Sequence, residues 1–332
     1  MLKRRVQLTG GSTFIVSLPK KWAIQRGIKA GTEIGIEELG DSLLLLPFPP
    51  SEKEKVEIPI EDNPEALARK VVALYLVGFN TIRIRSENRI PPEAREFLKN
   101  FIKEKLAGTE VIEDLPSSLT LRVLLSPTEL SVKDAVKRMG MVTRTMLEDA
   151  LICVKEVNRT LAEDVIKRDD EVDRFGIYVI RLLKSAASNG GIRRIGLQNL
   201  RDCLGYRVTV KSIERIADHA VLMAKNSLLL KNRPLPSLIE KLEGLAGFSL
   251  SMFELAMSAL EREDYNIAEK VIEEEGKIES LVAENIDAIL ERTPQEIAPL
   301  RIIVESLRRV AEYSTDIAEV VLNLTVTKTI GG

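Results

Sequence analysis

The chain has 332 residues, 45% hydrophobic, 30% charged and 4% aromatic, room for two or three domains that each bury a core. No apolar run approaches the roughly 18 to 20 residues of a membrane span, and the opening MLKRRVQLTGG alternates instead of forming an apolar signal core, so a cytoplasmic protein without membrane insertion is expected. The formal net charge of -2 hides an asymmetry: residues 1–30 carry seven Lys or Arg and no acid, whereas residues 261–300 carry twelve acids against four bases.

Residues 1–48 read as short strands. Val6 and Leu8, then Phe14, Val16 and Leu18, alternate around a Thr9-Gly10-Gly11-Ser12 turn. Pro19 opens a short helix over residues 20–26, closed by Gly27. A second turn at Lys29-Ala30-Gly31-Thr32 leads to a strand over residues 33–39, a Gly40-Asp41 hairpin turn and a strand over residues 43–46. So few residues of short strand bury too little surface alone, and two interleaved copies are expected. The order of strand, LPKKW helix, GIKAGTE turn and hairpin resembles the AbrB/SpoVT swapped-hairpin domain, a dimeric DNA-binding module. The charges agree: Lys3, Arg4, Arg5, Lys20, Lys21, Arg26 and Lys29 are candidate phosphate contacts, each adding salt-sensitive affinity. Swapped-hairpin dimers also serve as plain oligomerisation or partner-binding pieces, and the residues leave both uses open.

Residues 51–125 alternate element types: strand 55–60, a helix opened by Asn63-Pro64-Glu65 and ended by Gly78, strand 81–85, a helix over residues 92–106 stopped by Gly108, and strands 110–113 and 119–125. This predicts a small α/β domain. It holds no phosphate loop, no His and no Cys, and reads as a spacer or sensor, or else as an unrecognised small-ligand pocket.

From residue 131 onward the pattern is helical. Ala135, Met139, Val142, Met146, Ala150 and Val154 define one apolar face, and Val165, Val172, Phe175, Val179 and Leu182 the next. Cys153 and Cys203 fall inside these patterns without metal spacing and read as buried thiols. Asn189-Gly190-Gly191 breaks the pattern, a third helix covers residues 200–230, and Asn232-Arg233-Pro234-Leu235-Pro236 is a linker. Residues 146–173 and 252–279 then align without a gap, with Met146, Glu148, Ala150, Ala162, Glu163, Val165 and Ile166 falling on identical residues. A repeat of that length decides the fold: two tandem three-helix bundles, residues 131–232 and 235–328, the second containing two repeated helices, a break at Arg292-Thr293-Pro294 and a last helix over residues 296–324.

The repeat carries acids. Asp169 and Asp173 lie four apart on one helical face, and Glu214 and Asp218 repeat that spacing on the next helix. Two like-charged pairs on neighbouring helices are costly without a counter-ion, which suggests a carboxylate-rich cation site for Mg²⁺, Ca²⁺ or Mn²⁺, and for iron or zinc if His219 joins. Solvated acidic faces are the bland alternative.

AEDVIKRDDEVD and SIERIADHA resemble the acidic motifs of the PhoU family, phosphate-transport accessory proteins built from two tandem three-helix bundles. Joined to the AbrB-like start, the whole chain is similar to archaeal PhoU-type phosphate uptake regulators. The resemblance implies bound divalent or trivalent metal ions, a role in phosphate homeostasis, and negative regulation of uptake. Its motif positions are Asp169, Asp173, Glu214 and Asp218 in the first bundle, and Glu275, Glu279 and Glu312 in the second, where Arg308 replaces the counterpart of Glu214. An arginine there neutralises carboxylates through paired hydrogen bonds; Asp316 partly restores an acidic pair.

Three functions remain to be separated. One is a DNA-binding regulator, homodimeric or larger, whose bundles read phosphate status through metal, a transporter component or a signalling partner. Another is an accessory protein acting only by protein contact. The third, a di-metal oxidase, lacks the Glu-x-x-His spacing of such sites, and no nucleophile or nucleotide loop is present, so no enzyme is expected.

Overall fold

The computed structural model describes residues 2–39, 42–47, 55–189 and 191–330. The chain divides into two compact units, Met1–Glu52 and Lys53–Gly332.

In the first unit β1 (Gln7–Thr9) pairs antiparallel with β2 (Thr13–Ile15), α1 spans Lys20–Gln25, and β3 (Ile34–Leu39) pairs antiparallel with β4 (Ser42–Pro47). The expected Gly40-Asp41 turn lies outside the described residues. No described residue of this unit is buried, and Phe14 is 76% exposed. With Val6, Leu8, Ile24, Ile36 and Leu43 also exposed, the described residues of the unit bury no core of their own.

The second unit opens with a four-stranded sheet of order β5-β6-β8-β7, formed by β5 (Lys55–Pro59), β6 (Thr81–Arg85), β7 (Thr109–Leu115) and β8 (Ser118–Val123). β5 and β6 run parallel and the other pairs antiparallel, so β5 and β6 need a crossover. α2 (Pro64–Val77) supplies it, started by Asn63, whose Oδ1 accepts from the Ala66 N–H at 2.9 Å, with Pro64 in the first turn. Leu67, Val71 and Tyr75 of α2, with Leu98 and Ile102 of α3 (Pro92–Lys105), cover Ile82, Ile84, Leu119 and Leu121 of the sheet.

The helical half contains α4 (Val132–Glu156), α5 (Arg159–Asn189), α6 (Leu200–Ser227), α7 (Pro236–Arg262), α8 (Tyr265–Glu274), α9 (Ile278–Leu290) and α10 (Pro294–Ile330). The apolar stripes read in the sequence are its cores: Ala135, Met139, Met146, Ala150 and Val154 are buried, as are Val165, Val172 and Val179, and both cysteines are buried and free. α4, α5 and α6 pack as the first bundle, α7 to α10 as the second, and α6 lies along α10.

One expectation is corrected. The second helix of the second copy is not continuous: a 3-10 turn at Glu275–Lys277 separates α8 from α9, while α5 runs unbroken through the same position of the first copy. Gly276 stands where the first copy has Asp170, and glycine costs a helix interior about 1 kcal/mol relative to alanine. The repeat is kept in sequence and broken in helix geometry at the acidic motif itself.

The α/β domain is joined to the first bundle by a buried arginine. Arg181 of α5 donates to the carbonyls of Tyr75, Phe79 (3.0 Å) and Gly78 (3.4 Å) and to Asn80 Oδ1 (2.6 Å), while its guanidinium stacks 4.6 Å from the Tyr75 ring centroid. Those carbonyls close the end of α2, where helical acceptors lack partners of their own.

Candidate cation site

The acids singled out on the first bundle lie on α5 and α6. α5 places Asp169 and Asp173 one turn apart, with Asp170 beside them, and α6 brings Asp218 up to them. Asp169 is pushed up to about 6, first by burial and then by Asp173 and Asp218. Asp218 is raised by burial and by Asp173. Like charges nearby disfavour the ionised form of each of these carboxyl groups.

Glu214 lies one turn before Asp218 on α6. Its side chain is only 12% exposed and pairs with Lys211 at 2.9 Å. Room for it comes from Gly176 of α5, where a Cβ would collide with Glu214 Oε1.

The α/β domain contributes a residue that sequence reading missed. Lys105, in the last turn of α3, donates to Asp170 Oδ1 at 2.7 Å and Asp173 Oδ2 at 2.9 Å. Burial works against its charge, but the hydrogen bonds it donates to the two aspartates, with their negative charges, outweigh it and raise its pKa. The domain read as having no site chemistry therefore sets a cation on the ladder.

His219 follows Asp218 on α6 and faces α10. Its ring lies 5.8 Å from that of Tyr313 on α10, and burial lowers its pKa. Among the described residues its Nδ1 has no partner.

In the second bundle Arg308 enters the acidic group. It reaches Glu279 Oε1 at 3.0 Å and Glu312 Oε1 at 3.3 Å, and Arg309 holds Glu312 at 2.8 Å. Glu275, on the 3-10 turn, is raised by burial and then by Glu319, Glu312 and Asp316. Burial and then Glu319 also raise Asp316. The acidic group is thus displaced along α10 toward Asp316 and Glu319. Glu319 was legible in the sequence as the acid three residues beyond Asp316, one turn further on.

Both groups offer carboxylate oxygen, the donor chemistry of hard cations. Among the described residues, no three His, Cys, Asp or Glu side chains converge as metal ligands do; instead Lys105 holds two carboxylates of the first group and Arg308 two of the second.

In the N-terminal unit Lys3, Arg4 and Arg5 precede β1, Lys20 and Lys21 form the first turn of α1, Arg26 ends it and Lys29 lies in the following turn. All seven are exposed.

Residues 136–227 and 242–321 match the PhoU domain family, and residues 7–57 match the family described as antidote-toxin recognition MazE, bacterial antitoxin. A phosphate-specific transport system accessory protein PhoU homolog of Xylella fastidiosa is 28% identical over 195 residues, 56% of this chain and 80% of that protein. PhoU homolog 2 of Thermotoga maritima is 25% identical over 203 residues, 59% and 85% of the two chains. Among solved structures, PhoU from Pseudomonas aeruginosa superimposes with a TM-score of 0.54 at 18% identity, covering 59% of this chain and 96% of that one. The phosphate transport system regulatory protein PhoU from Streptococcus pneumoniae gives 0.52 at 20% identity, covering 59% and 94%. The two bundles have the PhoU fold, and the chain belongs to the PhoU family.

No described helix is long and apolar enough to cross a membrane.

Proposed function

We propose that this protein is a non-enzymatic cytoplasmic regulator of phosphate homeostasis that binds DNA through its N-terminal unit and lowers phosphate uptake. Its bundles hold metal ions on Asp169, Asp173, Glu214 and Asp218, and less readily on Glu275, Glu279 and Glu312. They read phosphate status through those ions or through contact with transport components. The observation that carries this reading is the pair of PhoU matches, one on each bundle, in a chain whose relatives are named as accessory proteins of phosphate-specific transport.

DNA binding is supported by seven exposed cations in the first 30 residues, a stretch without an acid. The exposed apolar side chains around Phe14 support a homodimer, since a second copy would cover them. They also favour a second reading, in which the N-terminal unit only dimerises and regulation runs through protein contact. A mobility-shift assay on the DNA upstream of this chain's own gene separates the two. A low-salt shift lost in Lys20→Glu/Lys21→Glu supports DNA binding; no shift by the wild-type protein overturns it in favour of the accessory reading.

A further inference from the structure

We infer that the start of α6, with the 3-10 turn Ile192–Ile195 before it, is a docking surface for an anionic lipid bilayer, which the protein meets peripherally. The inference goes beyond the proposed function and depends on neither DNA binding nor metal binding.

α6 is apolar on two sides where it begins. Cys203, Tyr206 and Val210 are buried in the bundle, as a bundle helix requires. Leu200, Leu204 and Val208 are surplus to that face: they are 50, 71 and 48% exposed. Single exposed leucines are ordinary. A spacing of four, however, puts these three on one stripe about 12 Å long, and a contiguous exposed apolar stripe marks an interaction surface.

The charges around the stripe have one sign. Residues 191–211 hold five bases and one acid. That acid, Asp202, is committed to the start of α6, where its Oδ2 accepts from the N–H groups of Gln198 at 2.9 Å and Asn199 at 3.2 Å. Of the bases, Lys211 pairs with Glu214. Arg193, Arg194, Arg201 and Arg207 are exposed and, among the described residues, none has an ionic partner. The contrast with α4 is plain, since Lys133, Lys137, Arg144 and Lys155 there each meet a glutamate. At about 3.6 residues per turn, Arg201 and Arg207 fall on the two flanks of the apolar stripe.

Unpaired arginines beside exposed leucines call for an occupant that is anionic and apolar at once. A protein partner seats its anchoring side chains in pockets, whereas side chains standing out from one helix form a ridge; a cavity of about 260 Å³ lies past the other end of α6, beside Leu230 and Leu235. A bilayer needs no pocket. Leucines enter the boundary between headgroups and acyl chains, and the flanking guanidinium groups stay at the lipid phosphates.

Co-sedimentation of the full chain with vesicles tests this, using phosphatidylglycerol and phosphatidylcholine in equal parts, and phosphatidylcholine alone. Wild type should bind the mixed vesicles and not the uncharged ones, with binding weakened by added salt. Leu204→Ser should weaken binding about tenfold, and Arg201→Gln/Arg207→Gln about 25-fold, or about fivefold for each arginine near an anionic surface. All three side chains are exposed, so thermal melts of these variants should match wild type. Lys20→Gln/Lys21→Gln controls for the cations of the N-terminal unit and should bind vesicles as wild type does. A loss confined to that control overturns the inference by assigning the binding to the N-terminal unit. Equal binding by wild type and both α6 variants overturns it too. So does a wild type that stays in solution with the mixed vesicles, which leaves the stripe to an acidic protein or a second copy of this chain.

Discussion

Val157 and Glu263 occupy the same position in the two copies of the helical repeat and hold the same left-handed backbone, with φ 55 and 50. They are the two described non-glycine residues with positive φ, and each precedes a side chain that caps the next helix. Asn158 Oδ1 accepts from the Leu161 N–H at 3.1 Å, and Asp264 Oδ1 from the N–H groups of Asn266 at 2.9 Å and Ile267 at 3.1 Å. A left-handed residue followed by an N-cap reverses the chain in two residues, and both bundles need that reversal to lay their second helix on their first.

Left-handed backbone costs a β-branched residue of order 1–3 kcal/mol. Val157→Gly relieves the strain and Val157→Ala keeps it, while both remove the branched methyls. The glycine variant should be more stable than the alanine variant by about 1 kcal/mol in urea unfolding, reversing the usual helix-interior order.

Arg181 should be indispensable to the joint between α5 and the α/β domain. Arg181→Met leaves the carbonyls of Gly78 and Phe79 and the side-chain oxygen of Asn80 without this donor, a loss of about 3 kcal/mol or more. Arg181→Lys should rescue little, because an ammonium does not reproduce the fork. Limited proteolysis between β8 and α4, with thermal melts, would show the domain loosening in both variants.

The acidic ladder predicts a pH dependence of stability with a definite sign. Asp169 is raised from 3.8 to about 6, so the folded state binds its proton more tightly than the unfolded state and its charge opposes folding. The penalty is absent below about pH 4, grows up to about pH 6 and is constant above. In chelator-treated protein Asp169→Asn should therefore gain on wild type across that window, by about 1 kcal/mol once solvent screening is allowed for. Denaturation midpoints of the two proteins from pH 4 to 7.5 would measure it.

DNA binding, if it runs through phosphate contacts, has a salt signature. Lys20→Ala/Lys21→Ala should flatten the slope of log affinity against log salt by about 0.9 for each phosphate that is no longer neutralised, with a similar weakening on every DNA sequence. Fluorescence anisotropy across a KCl series distinguishes this from a folding defect, which would leave the slope of the remaining active protein unchanged.

Local chemistry made most of the fold legible. Asn63-Pro64 and Gly78 bracket α2, the three-and-four spacing from Ala135 to Val154 marks the buried face of α4, and the gapless repeat announces two bundles. The pairing of Asp169 with Asp173 followed from helical spacing, and Arg308 among acids followed from aligning the copies. Lys105 did not follow. It stands more than 60 residues before its acceptors in a helix whose pattern places it only in a final turn, and nothing local says which domain that turn faces. Arg181 was equally silent, a charge flanked by apolar residues whose partners are backbone carbonyls. The orientation of His219 toward Tyr313 depends on tertiary packing that periodicity does not encode.

Anomalous diffraction from crystals soaked in Mn²⁺ tests cation binding by the first ladder most directly. A peak among Asp169, Asp173 and Asp218, with no peak between Glu279 and Arg308, is the predicted result. No peak among these carboxylates, at millimolar Mn²⁺, would contradict it.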